Sequence, residues 1–237
     1  MNNVRFSETR FIDRLLPVVF AISTFAGLFY GCGSYDTNEA IFTQAHLEGM
    51  IYDNHNNPCA GARISADNGP AFVSDVNGRF TLYNLSRGIH EIAVVKKEYE
   101  TSSFSVEFLS RTQVLYVKMF SQSQLLELAE TALDGRKLGE ADEFLKRAEA
   151  IDKEVPVLLY LKSVLELKRD NYDDALSLLK QLVQMGYTFP PVFLSMADIY
   201  EYKLKDIPNA ISALKNYLNL VENPAVRERL SHLETGN

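Results

Sequence analysis

A small residue that returns at a fixed distance constrains this chain more than any other feature. Ala141, Ala175 and Ala210 stand 34 and 35 residues apart, and a large aliphatic residue follows each four positions later, at Leu145, Leu179 and Leu214. Upstream, Leu125, Leu158 and Phe193 correspond, as do Leu128, Leu161 and Met196, and then Ala132, Leu165 and Tyr200. Apolar spacings of three and four are those of an amphipathic helix. A helix pair cannot bury its apolar face alone, so repetition at this distance means pairs stacked on one another. The alanines mark close approach between helices, with bulky side chains packing around them. The second and third units share a turn one residue longer.

Asn171-Tyr172-Asp173-Asp174-Ala175 resembles the turn and second-helix entry of a tetratricopeptide repeat (TPR). Pro156, Pro190-Pro191 and Pro224 stand where successive helices begin, a place where a missing N–H costs nothing. Lys162 departs from the family, which usually has Gly, Ala or Ser there. The likeness implies three repeats over residues 122–223 and a capping helix over 224–235, with Asn223 as its N-cap. Arg227, Glu228 and Arg229 on that helix are expected to face water. The likeness also implies a concave groove formed by the first helix of each pair. Its positions here are Leu126, Leu159 and Leu194; Glu130, Ser163 and Asp198; and Leu133, Glu166 and Glu201. That row is apolar with carboxylates and holds no Lys or Arg, which predicts an apolar or basic segment as partner. The alternative is a solvated acidic face whose leucines pack within the stack.

Residues 45–119 have period two instead, broken by turn residues at short intervals. The pattern predicts seven strands: His46–Asp53, Ala62–Ala66, Phe72–Asp75, Arg79–Tyr83, Ile89–Lys96, Thr101–Phe108 and Gln113–Met119. Leu47, Gly49, Ile51 and Asp53 fall on one side of the first. Asn77-Gly78 predicts a hairpin, because both residues accept positive φ. Two packed sheets are the natural way to bury such faces. Gly49-x-Ile51-x-Asp53, Pro58-x-x-Gly61-Ala62-x-Ile64 and Ser74-Asp75-x-x-Gly78-x-Phe80-x-Leu82-x-x-Leu85-x-x-Gly88 resemble the carboxypeptidase regulatory-like domain. That likeness implies a transthyretin-like seven-stranded sandwich over residues 45–120. His90 and Glu98 depart from the family pattern. The fold class expected is therefore multidomain, an all-β seven-stranded sandwich followed by an all-α TPR-like solenoid.

Ahead of both lies a leader with Arg5, Arg10 and Arg14, then the uncharged run Leu15 to Tyr30. That run is shorter than the roughly 20 residues a membrane-spanning helix needs, and it matches a signal-peptide core. Leu28-Phe29-Tyr30-Gly31-Cys32 resembles a bacterial lipobox, which implies a signal peptide over 1–32 and acylation of Cys32, the palmitate-type anchor of an envelope lipoprotein. Gly33 after the cysteine favours the outer over the inner membrane under the family's sorting rules. Residues 33–44 read as a polar linker. With Cys32 acylated, Cys59 has no partner for a disulfide. It reads as a small apolar side chain in a turn.

The formal charge of -7 and pI near 5.2 argue against nucleic acid. His46, His55, His90 and His232 are scattered without metal-ligand spacing, so no metal and no cofactor are expected. His90 reads as a packing residue. No nucleophile, phosphate loop or carboxylate pair can be defended, and no catalytic residue is assigned. The sequence predicts a membrane-anchored adaptor or scaffold that binds another envelope protein through its helical groove. The alternative is a glycan- or peptidoglycan-binding sandwich. Tyr83 and Tyr99 are its candidate rings, and the lack of Trp counts against it.

Overall fold

The computed structural model describes residues 43–236, so the expected signal segment, Cys32 and nearly all of the linker lie outside the described residues. Seven strands come first: β1 (Gln44–Asp53), β2 (Arg63–Ala66), β3 (Phe72–Val73), β4 (Arg79–Ser86), β5 (Gly88–Val95), β6 (Ser102–Phe108) and β7 (Val114–Met119). They form two sheets, ordered β4-β1-β7 and β3-β2-β5-β6. Every pairing is antiparallel except that of β1 with β7. Alternation along each strand sends one set of side chains inward. Leu47, Ile51, Leu82 and Val117 from the first sheet meet Ile64, Ile92, Val94 and Phe108 from the second in one buried cluster.

Gly49 sits in the inward row of β1, and its missing side chain is what admits Phe80. A Cβ there would lie 2.2 Å from Phe80 Cζ and 2.4 Å from the Leu115 carbonyl oxygen. Gly49→Ala is therefore expected to lower the unfolding free energy by about 1–3 kcal/mol, as overpacking does. A urea titration that leaves the midpoint unchanged would show that both Phe80 and the β7 backbone at Leu115 can give way.

The Asn77-Gly78 turn is formed, but the hairpin expected around it is not. β3 pairs with β2 and β4 pairs with β1, so the chain crosses from one sheet to the other at this turn. The reversal is held by Asp75, whose carboxylate accepts the N–H groups of Asn77 at 2.9 Å and Arg79 at 2.7 Å. Positive φ is taken by Gly78 alone of the two, at 74°. Its backbone is drawn against β1, with Ile51 N–H donating to the Gly78 carbonyl at 2.8 Å.

Seven α-helices follow: α1 (Gln122–Asp134), α2 (Leu138–Ile151), α3 (Pro156–Lys168), α4 (Tyr172–Gln184), α5 (Pro190–Asp198), α6 (Ile207–Leu220) and α7 (Pro224–Thr235). A π-helical stretch, Ile199–Leu204, continues α5. Packing joins α1 to α2, α3 to α4 and α5 to α6, with α2 on α3, α1 on α3, α4 on α5 and α7 on α6. Ala141, Ala175 and Ala210 are fully buried, and Leu145, Leu179 and Leu214 are buried beside them. Leu125, Leu158, Phe193, Ala132, Leu165 and Tyr200 are buried too, while Leu128 and Met196 are partly so.

The turns within the three pairs share one backbone signature. Arg136, Asp170 and Lys205 each adopt a left-handed conformation, with φ of 56°, 62° and 56°. The next N–H reaches back five residues in the first two turns, Lys137 to Ala132 and Asn171 to Glu166, and six in the third, Asp206 to Tyr200. The π-helical stretch takes up the extra residue of the third unit.

The α7 helix corrects one reading of the sequence. Arg229 does not face water. Its Nη1 lies 2.7 Å from Asp198 Oδ1 and its Nε donates to Glu201 Oε2 at 2.8 Å. The guanidinium also stacks on Tyr202, 5.0 Å from the ring centre.

Candidate interaction surface

The first helix of each pair, together with the π-helical continuation of α5, carries the nine positions singled out in the sequence, and the structure divides them into three kinds. Leu126, Leu133 and Leu159 are buried, and Leu194 is partly buried. These side chains pack within the helices: Leu126 and Leu133 in a cluster with Ala141 and Leu145, Leu159 in one with Ala175 and Leu179. Ser163 is fully buried, and its hydroxyl donates to the Tyr160 carbonyl of the preceding turn at 2.6 Å.

Three carboxylates of the row already have cationic or amide partners. Glu166 accepts from Arg169 at 3.1 Å and from Asn171 at 2.6 Å. Arg169 also bonds Asp142 on α2 at 2.9 Å, which ties the α3–α4 turn back to the first pair. That hydrogen bond holds the Asp142 carboxyl below its ordinary value. Asp198 and Glu201 share Arg229, whose buried Nη2 lies 2.8 Å from Glu201 Oε2 without hydrogen-bond alignment. The row thus does contain an arginine, brought in from α7.

Glu130 is the ninth position, and it is exposed. With Ser123, Glu127, Thr131 and Asp134 it forms the solvent stripe of α1, spaced three or four residues apart as one helix face requires. Beside this stripe sits the β1–β2 turn. Asp53 organises that turn from within, accepting the N–H groups of His55 at 2.8 Å and Asn57 at 2.9 Å. Desolvation by burial raises the Asp53 pKa, but these bonds outweigh it and hold the carboxyl below its ordinary value. Asn54 N–H donates to Gln124 Oε1 at 3.3 Å, and His55 Nε2 lies 3.4 Å from Glu127. The acidic stripe of α1 and the sandwich turn therefore adjoin.

Neither candidate ring for sugar stacking stands alone in water. Tyr99 is partly buried beneath the Lys96 ammonium, 4.3 Å from its ring centre. Tyr83 is 51% exposed, with His46 edge-on at 4.9 Å and Phe72 at 5.3 Å. A hollow of about 320 Å³ lies against it, bounded also by Phe72 and Thr81. Cys59 is buried in the sandwich core, where burial pushes its thiol pKa up. Among the described residues, no group of three or more His, Cys, Asp or Glu side chains is placed to hold a metal ion. Among them too, no helix is long and apolar enough to cross a membrane.

His90 is 6% exposed, and both of its ring nitrogens face acceptors. Nδ1 lies 2.6 Å from Asp67 Oδ2 and Nε2 lies 2.8 Å from the Ser86 carbonyl. Burial alone would lower its pKa, but the two hydrogen bonds and the Asp67 charge raise it above the ordinary 6.5. Asp67 is lowered below 3.8, first by the bond from His90 and then by that from Glu91 N–H. The His90 contribution is complete below pH 6.5 and disappears as pH rises through its raised value. The Asp67 contribution is complete above pH 3.8 and disappears as pH falls through its lowered value. The stability margin of the wild type over Asp67→Asn is thus expected to be widest between about pH 4 and 6.5. Urea midpoints of both proteins at pH 5.5 and 9 check it: a margin that widens at pH 9 would refute the doubly protonated ring.

Comparison with known proteins gives matches over about a third of the chain. No family model matches it, and no curated protein matches it. Among solved structures, a type II cohesin–X-dockerin complex from Acetivibrio cellulolyticus, an N-terminal interface mutant, shares 15% identity over 36% of this chain and 72% of that one, with a TM-score of 0.30. The TIE protein of Bacillus anthracis shares 16% over 33% of this chain and 16% of its own, with a TM-score of 0.29. A C-terminal interface mutant of the same cohesin complex gives 16%, 35%, 71% and 0.27. Scores of this size support no statement about fold or partner.

Proposed function

We propose that this chain is a lipid-anchored envelope adaptor that binds another protein through a TPR-like helix stack. One observation carries the reading. The small and bulky positions that recur along the sequence are buried in three successive helix pairs, as a stack of equivalent units requires. Such stacks offer extended surfaces for contact. Lipid attachment at Cys32 rests on the lipobox likeness, and outer-membrane residence on Gly33 beside it.

The contact surface is centred on α1 rather than spread along all three first helices. Buried leucines and arginine-bound carboxylates leave Glu127, Glu130 and Asp134 as the acidic side chains presented there. A basic segment of the partner complements them. Leu159 and Glu166 are poor test positions, since one is core and the other already bonded. Glu130→Lys with Asp134→Lys changes only exposed side chains. A pull-down from envelope extract is expected to lose at least about tenfold of the captured partner with this double variant, the scale of a few rim charges reversed. Undiminished capture would refute the α1 surface. Labelling with radioactive palmitate is expected to mark the wild type and not Cys32→Ala; equal labelling of both would refute the anchor.

A further inference from the structure

No linker separates the sandwich from the helices. β7 ends at Met119, Phe120 intervenes, and Ser121 already caps α1. The β5–β6 loop folds over this junction as an extra antiparallel bridge, Tyr99 against Ser121. Glu100 N–H donates to the Phe120 carbonyl and Gln122 N–H to the Glu98 carbonyl, both at 2.9 Å.

Side chains extend the contact in three directions. Gln124 completes a capping box with Ser121, and the same Oε1 accepts Asn54 N–H from the sandwich. The buried Gln122 amide donates to the Ala148 and Asp152 carbonyls at the end of α2, at 3.0 and 2.6 Å. Arg147, also on α2, reaches the β5–β6 loop and donates twice to Glu100, at 2.8 and 2.7 Å. Its guanidinium lies over Phe120, 4.8 Å from the ring centre. The Arg147 and Glu100 side chains are 29% and 26% exposed, so this two-pronged pair is shielded from much of the screening that weakens surface pairs.

We infer that the β-sandwich is the N-terminal cap of the helix stack, so that the two halves move and unfold as one body. A stack of helix pairs ends in an apolar face that something must cover. α7 covers the last pair and is fastened by Arg229 to Asp198 and Glu201. The sandwich meets the first pair through Phe120, the β1–β2 turn and the β5–β6 loop, and is fastened by Arg147 to Glu100. The angle between sandwich and helices is then a built-in quantity, and whatever surface the helices present is held at a fixed attitude to the N-terminal side. This holds whether or not the helices bind a partner.

Hydrogen exchange on the full chain at rising urea tests it, read in peptides from β1 and β5 and in peptides from α1 and α2. In the wild type all four are expected to lose protection at one urea concentration. Arg147→Met keeps an apolar stem over Phe120 and removes the fork. It is expected to speed exchange in α1 and α2 by at least about tenfold, since hydrogen bonds to charged groups are worth that much. Lys146→Met, an exposed neighbour on α2, is expected to leave exchange unchanged. Separate urea concentrations for strands and helices in the wild type would overturn the inference. So would an Arg147→Met protein that exchanges like the wild type.

Discussion

Leu179→Ala is expected to lower the unfolding free energy by about 2–5 kcal/mol, the range for a large side chain deleted from a packed interior. Leu179 is fully buried on α4 and belongs to the cluster that joins α4 to α3, α5 and the π-helical stretch. It stands four residues after Ala175, whose methyl group sets how closely neighbouring helices approach. The void left by truncation cannot close without moving helices fixed from both sides by other pairs. Leu145 and Leu214 hold the equivalent places in the flanking units, and both are equally buried. Their alanine variants are expected to fall in the same range, with Leu178→Ala, a partly buried neighbour, well below it. Urea titrations of the four variants check this. A Leu179 variant no less stable than Leu178→Ala would refute the equivalence of the three units.

Arg229→Ala is expected to cost about 2–3 kcal/mol, far more than the loss of an exposed ion pair. The Glu201 side chain is only 14% exposed and the Arg229 side chain only 20%. Removing the guanidinium leaves the Glu201 carboxylate nearly buried without its cation, and that desolvated charge makes up most of the cost. The cost is therefore expected to shrink when the carboxylate goes too: Arg229→Ala with Glu201→Gln is expected to be more stable than Arg229→Ala alone. Arg227→Ala supplies the contrast, because its partner Glu222 and its own side chain are both more than 60% exposed. That variant is expected to unfold like the wild type. Equal urea midpoints for Arg229→Ala and Arg227→Ala would show that α7 is held by its apolar side chains alone, through Val226, Leu230 and Leu233.

Much of the architecture is legible in the sequence because the residues that carry it have no other reason to recur. An alanine returning at 34 and 35 residues, with a leucine four later, is what helix contact demands and what chance rarely supplies. Strand positions were legible for a related reason, since Asn, Pro and Gly mark where alternation must break. Pairing was not legible. Asn77-Gly78 specifies a local reversal, and a reversal alone does not say whether the flanking strands share a sheet. The left-handed turn residues Arg136, Asp170 and Lys205 were hidden too, because none is Gly and their conformation is imposed by the helices on either side.

The candidate surface was the least legible part. Position within a repeat says which way a side chain points but not what arrives from elsewhere to meet it. Arg229 reads as a solvent-facing charge on a terminal helix until α7 is placed against Asp198 and Glu201. Glu100 gave no signal for the same reason, its partner Arg147 lying 47 residues away. Ser163 looks like a polar groove position, yet its hydroxyl is satisfied by its own helix and it can be buried outright.

The central claim is that the exposed side of α1 is where another protein docks. Site-specific photo-cross-linking in intact cells tests it most directly, with the probe placed at Glu130 on α1 or at Ser177, an exposed position on the outer face of α4. The account predicts one discrete adduct from position 130 that disappears with Asp134→Lys, and none from position 177. Equal adducts from both positions, or none from 130 while the protein is folded and abundant, would contradict it.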